Sequence, residues 1–267
     1  MLPYVELLGK QIPMYGVCLM TGILIAGVFA YLESKKRGVI PENLIIIAAT
    51  AIGLGMVGAK GMYIIVSYSP AELMGIIKEK NFSLLLQGGF VFYGGLIFGI
   101  LGAVLGCKMA SVQIGDYENI VVKYIPLAHA FGRIGCFCAG CCYGAPADGG
   151  WGVVYSNPLS NAPTGMELLP VQLYEAFFNV VVFIVLWSID KRNPENKVML
   201  PMYLGIYAVE RFILEFLRFD KERGFLWGIS TSQLISIVLF IMAIVLFVIR
   251  FRKNKKQCQS RSKDVFY

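Results

Sequence analysis

The chain has 267 residues, of which 57% are hydrophobic and only 15% are charged. A soluble domain carries roughly 25% charged residues. The mean hydropathy is +0.66, and the apolar residues fall in long blocks. The composition therefore predicts an integral membrane protein and excludes a soluble enzyme, a disordered chain and a disulfide scaffold. The length suits one membrane domain over residues 1–267, with a basic tail over about 250–267.

The net charge of +7 does not indicate nucleic-acid binding, because of where the charge lies. Its densest cluster, Arg250–Lys256, directly follows an apolar run. Such a cluster is typical of the cytoplasmic flank of a last membrane span, where it also meets anionic lipids. We therefore expect membrane lipids, and no nucleic acid, among the partners of the chain.

Seven segments are long and apolar enough to cross a membrane as helices, which takes about 20 residues. They are 13–33, 43–66, 88–107, 119–138, 170–189, 198–217 and 230–249. Between the second and the third, Ala71–Glu79 has clustered apolar and charged faces, which predicts a helix lying in the membrane interface. The polar segment Ala139–Leu169 predicts a loop. The predicted fold is all-α, a polytopic membrane protein with about seven transmembrane helices around an outward-facing polar cavity.

The distribution of Lys and Arg over the connecting segments predicts the orientation of the chain. Fourteen of these residues fall on the side of Lys35–Arg37 and the C-terminal tail, and six fall on the side of Ala71–Glu79 and Ala139–Leu169. The first side is therefore predicted to be cytoplasmic. The N-terminus would lie outside and the C-terminus in the cytoplasm.

A stripe of polar residues marks the sixth span. Ionisable side chains inside a span usually face a partner or a wet cavity, because each costs about 2.5–3.5 kcal/mol at the centre. Arg211 and Glu215 share one helix face with Tyr207, and Arg218 follows near the outer surface. The stripe indicates one wall of a polar cavity. An intramembrane ion pair that only holds two helices together is the alternative.

A second polar segment, His129–Gly144, contains the only histidine of the chain. His129 and Arg133 lie one helical turn apart, and the glycines of the segment permit close packing of membrane helices. An arginine near the outer end of a span suits a phosphate group, which a guanidinium binds with two parallel hydrogen bonds.

Four of the seven cysteines, Cys136, Cys138, Cys141 and Cys142, fall within the same segment. The cluster lacks the spread of an extracellular disulfide framework, and its spacing is not one of the usual zinc-finger spacings. Three interpretations stay open: small packing residues, a zinc or iron–sulfur site, and disulfide or redox chemistry.

Other polar residues mark the outward ends of further spans. Gln172 and Glu175 share a face at the start of the fifth span. Tyr93 opens the third span between glycine pairs, and Tyr15 opens the first. An aromatic belt would explain either tyrosine alone. Taken together, these residues predict a site in the outer leaflet.

These motifs, in this order, resemble those of the bacterial prolipoprotein diacylglyceryl transferase family over nearly the whole chain. They are Tyr15-Gly16, Phe92–Leu96, Gly132–Gly135 with Gly140 and Gly144, Gln172–Glu175, and Arg211–Arg218. The resemblance implies a transferase in the bacterial cytoplasmic membrane. It would pass a diacylglyceryl group from phosphatidylglycerol to the lipobox cysteine of a preprolipoprotein, giving a thioether and glycerol phosphate. No metal, nucleotide or other cofactor is implied.

The resemblance also implies roles for individual residues. Arg133 and Arg211 match essential arginines of the family and would clamp the phosphate, with Glu215 orienting Arg211. Tyr15 would contact the head group. The residues expected to bind phosphatidylglycerol are Arg133, Arg211, Tyr15, Glu215, Gln172 and Glu175.

The chain departs from the family pattern at several positions. Tyr93 stands where the family usually has a histidine before a glycine pair, and Cys136 replaces an asparagine. The missing histidine is the usual candidate for activating the thiol. Here His129, or a nearby water, would accept the thiol proton, because imidazole titrates near neutral pH, and Tyr93 would orient the lipid phosphate or ester. A helix-packing role is the alternative for His129.

Two other functions stay open. A non-catalytic or thiol- and metal-binding lipid-handling paralogue on the same scaffold is the first alternative. An unrelated transporter or channel is the second, although the chain lacks the paired broken helices that would favour it.

Overall fold

The structure is a computed structural model that describes residues 2–7, 9–79, 81–86, 89–147, 149–194, 197–219, 225–226 and 228–264. The chain divides into two compact units. The first unit comprises Met1–Ala30 and Glu118–Tyr267, and the second comprises Tyr31–Tyr117.

Helices dominate the described residues, so the predicted all-α class is confirmed. In chain order they are α1 (Met14–Lys36), α2 (Pro41–Ser67), α3 (Pro70–Lys78), α4 (Phe82–Leu86), α5 (Phe92–Met109), α6 (Ile114–Ala139), α7 (Val171–Arg192), α8 (Met199–Leu214) and α9 (Thr231–Asp264). One short antiparallel strand pair precedes α1, and two others lie between later helices. They are β1 (Tyr4–Leu7) with β2 (Lys10–Pro13), β3 (Val153–Val154) with β4 (Glu167–Leu168), and β5 (Phe225–Leu226) with β6 (Ile229–Ser230).

Helices α6 to α9 build the core of the first unit. Helix α8 packs along α9 and also contacts α7. One cluster of buried side chains joins α6, α7 and α8. Its members are Val122, Val182, Leu186, Met199 and Tyr203. Since lipid tails are as apolar as these side chains, close packing and interhelical polar contacts are expected to hold the bundle together.

Two ion pairs add polar contacts between these helices. Lys123 of α6 pairs with Asp190 of α7, and both side chains are at most 2% exposed. Arg250 of α9 pairs with Glu118 of α6 and donates a hydrogen bond to the carbonyl of Lys197 at 3.0 Å. Arg250, which was predicted only as part of the basic cluster after the last span, therefore also connects α9 to α6.

The second unit depends on glycines between α2 and α5. A Cβ added at Gly94 would lie 2.3 Å from the carbonyl oxygen of Gly58, and one at Gly102 would lie 2.4 Å from that of Thr50. Small residues let two helix backbones approach this closely in a membrane protein. The glycine-rich sequence of α5 is therefore a packing surface.

Five of the predicted spans are helices long and apolar enough to cross a membrane. Within the described residues they are Met14–Lys36, Pro41–Ser67, Ile114–Ala139, Val171–Arg192 and Thr231–Arg252. The third predicted span is the shorter apolar run Tyr93–Met109, and its predicted start at residue 88 lies outside the described residues. The sixth is α8, which ends at Leu214 and continues as a 3-10 turn over Glu215–Leu217. The number of seven spans stays a prediction.

The structure contains both features predicted between the spans, the amphipathic helix and the polar loop, and the loop also contains strands. The amphipathic stretch is the helix α3, which opens with a capping box between Ser69 and Glu72; its place in the membrane interface stays a prediction. The predicted loop Ala139–Leu169 contains the strand pair β3–β4, and Tyr155 and Leu168 are fully buried within it. The loop is therefore folded onto itself.

Candidate active site

Arg133, the first predicted phosphate ligand, forms an ion pair with a buried carboxylate in the first unit. Its Nη2 lies 2.8 Å from Oε1 of Glu175, in the first turns of α7. The Glu175 side chain is 2% exposed. The contact is an ion pair and not an aligned hydrogen bond. Helices α6 and α7 thus bring together two residues that the sequence predicted separately.

His129 is bonded to the same arginine. Arg133 Nε donates a hydrogen bond to His129 Nε2 at 3.2 Å, as their spacing of one helical turn predicts. The same nitrogen lies 4.0 Å from Glu175 Oε1. Because arginine is only a donor, Nε2 must be an acceptor. The imidazole in this arrangement is therefore neutral, with its proton on Nδ1.

Helix α8 completes this buried polar cluster. Asn179 of α7 links the cluster to this helix. Its Nδ2 donates a hydrogen bond to the carbonyl of Glu175 at 2.8 Å and a longer one, of 3.5 Å, to Oε1 of Glu210 on α8. The ring of Tyr207 lies 5.7 Å from that of His129. Sequence analysis did not single out Asn179, although an asparagine in the middle of an apolar span is a recognisable signal.

Arg211, the second predicted phosphate ligand, is paired with a different carboxylate. Its Nη2 lies 2.9 Å from Oε2 of Glu215, and Arg218 Nη1 lies 4.0 Å from the same oxygen. Three residues of the predicted stripe, Arg211, Glu215 and Arg218, thus lie together. That they form one wall of a polar cavity stays a prediction. Arg211 Nη2 also donates to Ser232 Oγ on α9 at 3.2 Å. This contact fits the alternative of a helix cross-link as well, and sequence analysis missed it because Ser232 has no distinctive local pattern.

Apart from carboxylate oxygens that form ion pairs, two buried polar atoms of the site lack a hydrogen-bond partner among the described residues. They are Nη1 of Arg211 and Oε1 of Gln172. Buried polar groups are nearly always satisfied in folded proteins, so such atoms mark a place for a ligand or water. Arg211 Nη1 is a donor that suits an anion, whereas Gln172 Oε1 is an acceptor that suits a hydroxyl group.

The amide nitrogen of Gln172 fixes the neighbouring loop. It donates to the carbonyl of Cys141 at 2.7 Å and to the hydroxyl of Tyr155 at 3.1 Å. Burial raises the pKa of Tyr155 to about 12, so its phenol is neutral at physiological pH. Gln172 is therefore held by two contacts while its oxygen stays available.

Tyr15 lies beside the C-terminal end of α6. It lines a cavity of about 290 Å³ together with Tyr4, Ala139 and Cys141. Helix α1 approaches α6 closely here, since a Cβ added at Gly135 would lie 3.0 Å from the Cα of Tyr15. The position is compatible with the predicted contact to a lipid head group.

Tyr93 belongs to the second unit, in the first turn of α5. Its side chain is 39% exposed. The next residue, Gly94, is one of the glycines that pack α5 against α2. The predicted role of Tyr93 toward the substrate stays a prediction.

The last turn of α6 and the loop that follows it bring three thiols together. The Sγ atoms of Cys136, Cys141 and Cys142 all lie within 4.8 Å of one another. The fourth cysteine of the segment, Cys138, is not part of this group. All described cysteines are free thiols. Of the four cysteines that the sequence clusters, three therefore lie close together and Cys138 lies outside the group.

Comparison with known proteins identifies the family. The family model described as prolipoprotein diacylglyceryl transferase matches residues 3–249. A phosphatidylglycerol–prolipoprotein diacylglyceryl transferase of Clostridium tetani is 39% identical over 93% of this chain and 98% of its own length. Phosphatidylglycerol–prolipoprotein diacylglyceryl transferase 2 of Clostridium perfringens is 33% identical over 94% of this chain and 96% of its own length. A phosphatidylglycerol–prolipoprotein diacylglyceryl transferase of Dehalococcoides mccartyi is 29% identical over 91% of this chain and 90% of its own length. The chain belongs to the prolipoprotein diacylglyceryl transferase family, as its motifs predicted.

Proposed function

We propose that the chain transfers a diacylglyceryl group from phosphatidylglycerol to the lipobox cysteine of a preprolipoprotein. Its relatives are named for phosphatidylglycerol and prolipoprotein. The observation that carries the proposal is a pair of arginines, Arg133 and Arg211, each beside a buried carboxylate, in a chain that matches the family over residues 3–249. The family match gives no support to the alternative of an unrelated transporter.

The reaction is a displacement at a glycerol carbon. The carbon–sulfur bond forms as the carbon–oxygen bond to phosphate breaks, and a second negative charge develops on the departing glycerol phosphate. Guanidinium groups in a site shielded from water stabilise such a charge more strongly than they would in bulk solvent. Arg211 Nη1, which lacks a partner among the described residues, would donate to a phosphate oxygen. Glu215 would keep the guanidinium oriented.

Arg133 would hold the phosphate from the other side. A guanidinium has five N–H donors, and Arg133 uses Nε toward His129 and Nη2 toward Glu175. Its remaining donors would bind the phosphate, with Glu175 as a positioning group. The buried oxygen of Gln172 would accept a hydrogen bond from a hydroxyl of the glycerol head group.

The incoming thiol must also lose its proton, since the thiolate is the nucleophile. His129 is our candidate base, but its Nε2 accepts the hydrogen bond of Arg133. Arg133 would have to turn from His129 toward the phosphate before Nε2 becomes available. Lipid binding and activation of the thiol would then be linked. Tyr93 would orient the phosphate or an ester of the lipid.

The membrane is part of this proposal. The acyl chains of the lipid would stay in the bilayer, so a polytopic helical protein suits the reaction. We propose that the chain is a multi-pass protein of the bacterial cytoplasmic membrane. Its N-terminus would be outside, its C-terminus cytoplasmic, and its site would lie in the outer leaflet.

Complementation tests the proposed function. The chain would be expressed in a bacterial strain depleted of its own transferase, and the mass of a reporter lipoprotein would be measured, with the amount of chain in the membrane fraction as control. We expect the reporter to gain a diacylglyceryl group with the native chain and not with the Arg211→Ala variant. An unmodified reporter, despite normal amounts of native chain in the membrane, would favour the non-catalytic lipid-handling alternative.

A further inference from the structure

We propose that Cys136, Cys141 and Cys142 form a binding site for a soft divalent cation of the zinc class, a site that the transfer reaction itself does not require. Their three Sγ atoms already lie within 4.8 Å of one another. A zinc–thiolate bond is about 2.3 Å long, so tetrahedral coordination places the sulfur atoms roughly 3.8 Å apart. Small rotations of the cysteine side chains would bring the sulfur atoms from these separations to the spacing of a zinc site.

The backbone after α6 places these residues together. Gly140 and Cys142 have φ angles of 72° and 61°, in the left-handed region. The Cys141 amide donates to the carbonyl of Cys136 at 3.1 Å. The chain therefore turns back over the last turn of α6, which carries Cys136. A non-glycine residue with a positive φ is uncommon and marks a constrained position, and here the constraint brings Cys142 to the other two thiols.

Neighbouring segments hold this turn in place. Gln172 donates to the carbonyl of Cys141 at 2.7 Å. The amide of Gly144 donates to the carbonyl of Leu169 at 3.0 Å, and that of Ala145 donates to the carbonyl of Leu217 at 2.9 Å. Supporting hydrogen bonds of this kind orient the ligands of metal sites. The loop would thus need little reorganisation to bind a cation.

The exposure of the thiols favours a ligand over packing alone. Free cysteines that serve as packing residues are among the most buried side chains. Cys136 is buried, but Cys141 and Cys142 are both only partly buried. Cys141 and Cys142 therefore keep exposed surface that a cation would contact first.

The charge around the trio suits a metal–thiolate complex. Three thiolates and one divalent cation carry a net charge of −1, and on binding the three thiol protons pass to the solvent. Arg133 lies three residues before Cys136 on α6, and Arg218 forms an antiparallel bridge with Gly144, two residues after Cys142. Both guanidinium groups would help to balance this charge. A site partly shielded from water needs such compensation. A water molecule would take the fourth position of the tetrahedron.

Cobalt binding tests the site with a readout independent of transfer activity. The full chain would be purified in detergent under a phosphine reductant, freed of metal with a chelator, and titrated with Co²⁺, whose thiolate complexes have intense charge-transfer absorption. We expect one Co²⁺ per chain with these bands, and displacement of the cobalt by Zn²⁺. A native chain without the bands would overturn the proposal whether or not any variant folds.

Serine variants identify the ligands. In Cys136→Ser, Cys141→Ser and Cys142→Ser we expect at least about a tenfold loss of affinity, because a hydroxyl is a poor ligand for a soft cation. Cys138→Ser is the matched control, since Cys138 lies on α6 with Cys136 but outside the trio. Equal loss in Cys138→Ser, or unchanged binding in Cys142→Ser, would contradict the assignment. Thermal unfolding of each variant would show that the fold is retained.

Discussion

The hydrogen bond from Arg133 Nε to His129 Nε2, 3.2 Å long, joins the proposed phosphate ligand to the proposed base. A general base needs a free lone pair when it takes a proton. In this arrangement the Nε2 lone pair of His129 is occupied. The availability of the base therefore depends on the direction in which the Arg133 guanidinium points.

The first prediction concerns His129→Gln. If His129 is the base, the variant loses about 10²–10⁴-fold in rate. It also loses the acidic limb of the pH–rate profile. The sign follows from the chemistry, because a base works only when it is deprotonated, so the native rate rises with pH through the pKa of the base. The measurement is transfer to a thiol-bearing lipobox peptide over a range of pH. A variant that keeps both the rate and the acidic limb would assign His129 to helix packing.

The second prediction concerns the phosphate clamp. Arg133→Ala and Arg211→Ala should each lower the rate by about 10²–10³-fold or more, as loss of one donor to a developing charge does in other enzymes. Arg211→Lys should fail as well, because an ammonium group cannot reproduce the geometry of the guanidinium. The measurement is the initial rate of transfer in detergent micelles that contain phosphatidylglycerol.

Arg37→Ala is a suitable control for the clamp variants. Arg37 forms an ion pair with Glu33, four residues away, at 2.5 Å. Partly exposed pairs of this kind are worth about 0–1 kcal/mol, so the activity should be unchanged. Near-native rates in Arg133→Ala or Arg211→Ala would remove these residues from the proposed mechanism.

Contacts along one helix were the part of the site that the sequence predicted best. His129 with Arg133, and Arg211 with Glu215, follow from helical periodicity alone. Five of the predicted spans were confirmed as long apolar helices for a similar reason, since about 20 apolar residues are needed to cross a bilayer. Both signals are local, so the composition and spacing of a short segment contain them.

Contacts between helices could not be predicted from local spacing. Glu175 was identified as a polar residue at the end of its span, but its pairing with Arg133 depends on how α6 and α7 are rotated about their axes. The pairing of Arg211 with Ser232 depends on the same kind of information. The approach of Cys142 to Cys136 depends on a turn in which Cys142 itself has a positive φ. No local sequence pattern predicts this conformation for a cysteine.

The third prediction concerns topology. A tag inserted after Gly38, in the turn that follows α1, and a tag at the C-terminus should both be cytoplasmic, because most of the Lys and Arg residues fall on that side. A tag beside Asp148, which lies outside the described residues, should be external. The measurement is labelling of single tags by a reagent that does not cross the membrane. External labelling of the C-terminus would reverse the orientation and move the proposed site to the other leaflet.

The fourth prediction concerns the buried pair of Lys123 and Asp190. Removing one partner leaves a buried charge without compensation, so Lys123→Ala or Asp190→Ala should lower the free energy of unfolding by about 3–5 kcal/mol. The double variant Lys123→Met with Asp190→Leu should recover most of this loss, because neither charge remains. Thermal unfolding in detergent measures the effect. Additive losses in the double variant would show that the two residues do not act as a pair.

The last prediction concerns packing in the second unit. Gly102→Ala should destabilise the protein by about 1–3 kcal/mol, because the new Cβ would lie 2.4 Å from the carbonyl oxygen of Thr50 and α5 would have to move from α2. Gly53→Ala in α2 is the matched control, since its Cβ would have no atom within 4 Å. Alanine is the better helix former by roughly 0.5–1 kcal/mol, so Gly53→Ala should be neutral or slightly stabilising. Thermal unfolding of both variants in detergent gives the comparison. Equal stability of the two would mean that α2 and α5 do not pack through their glycines.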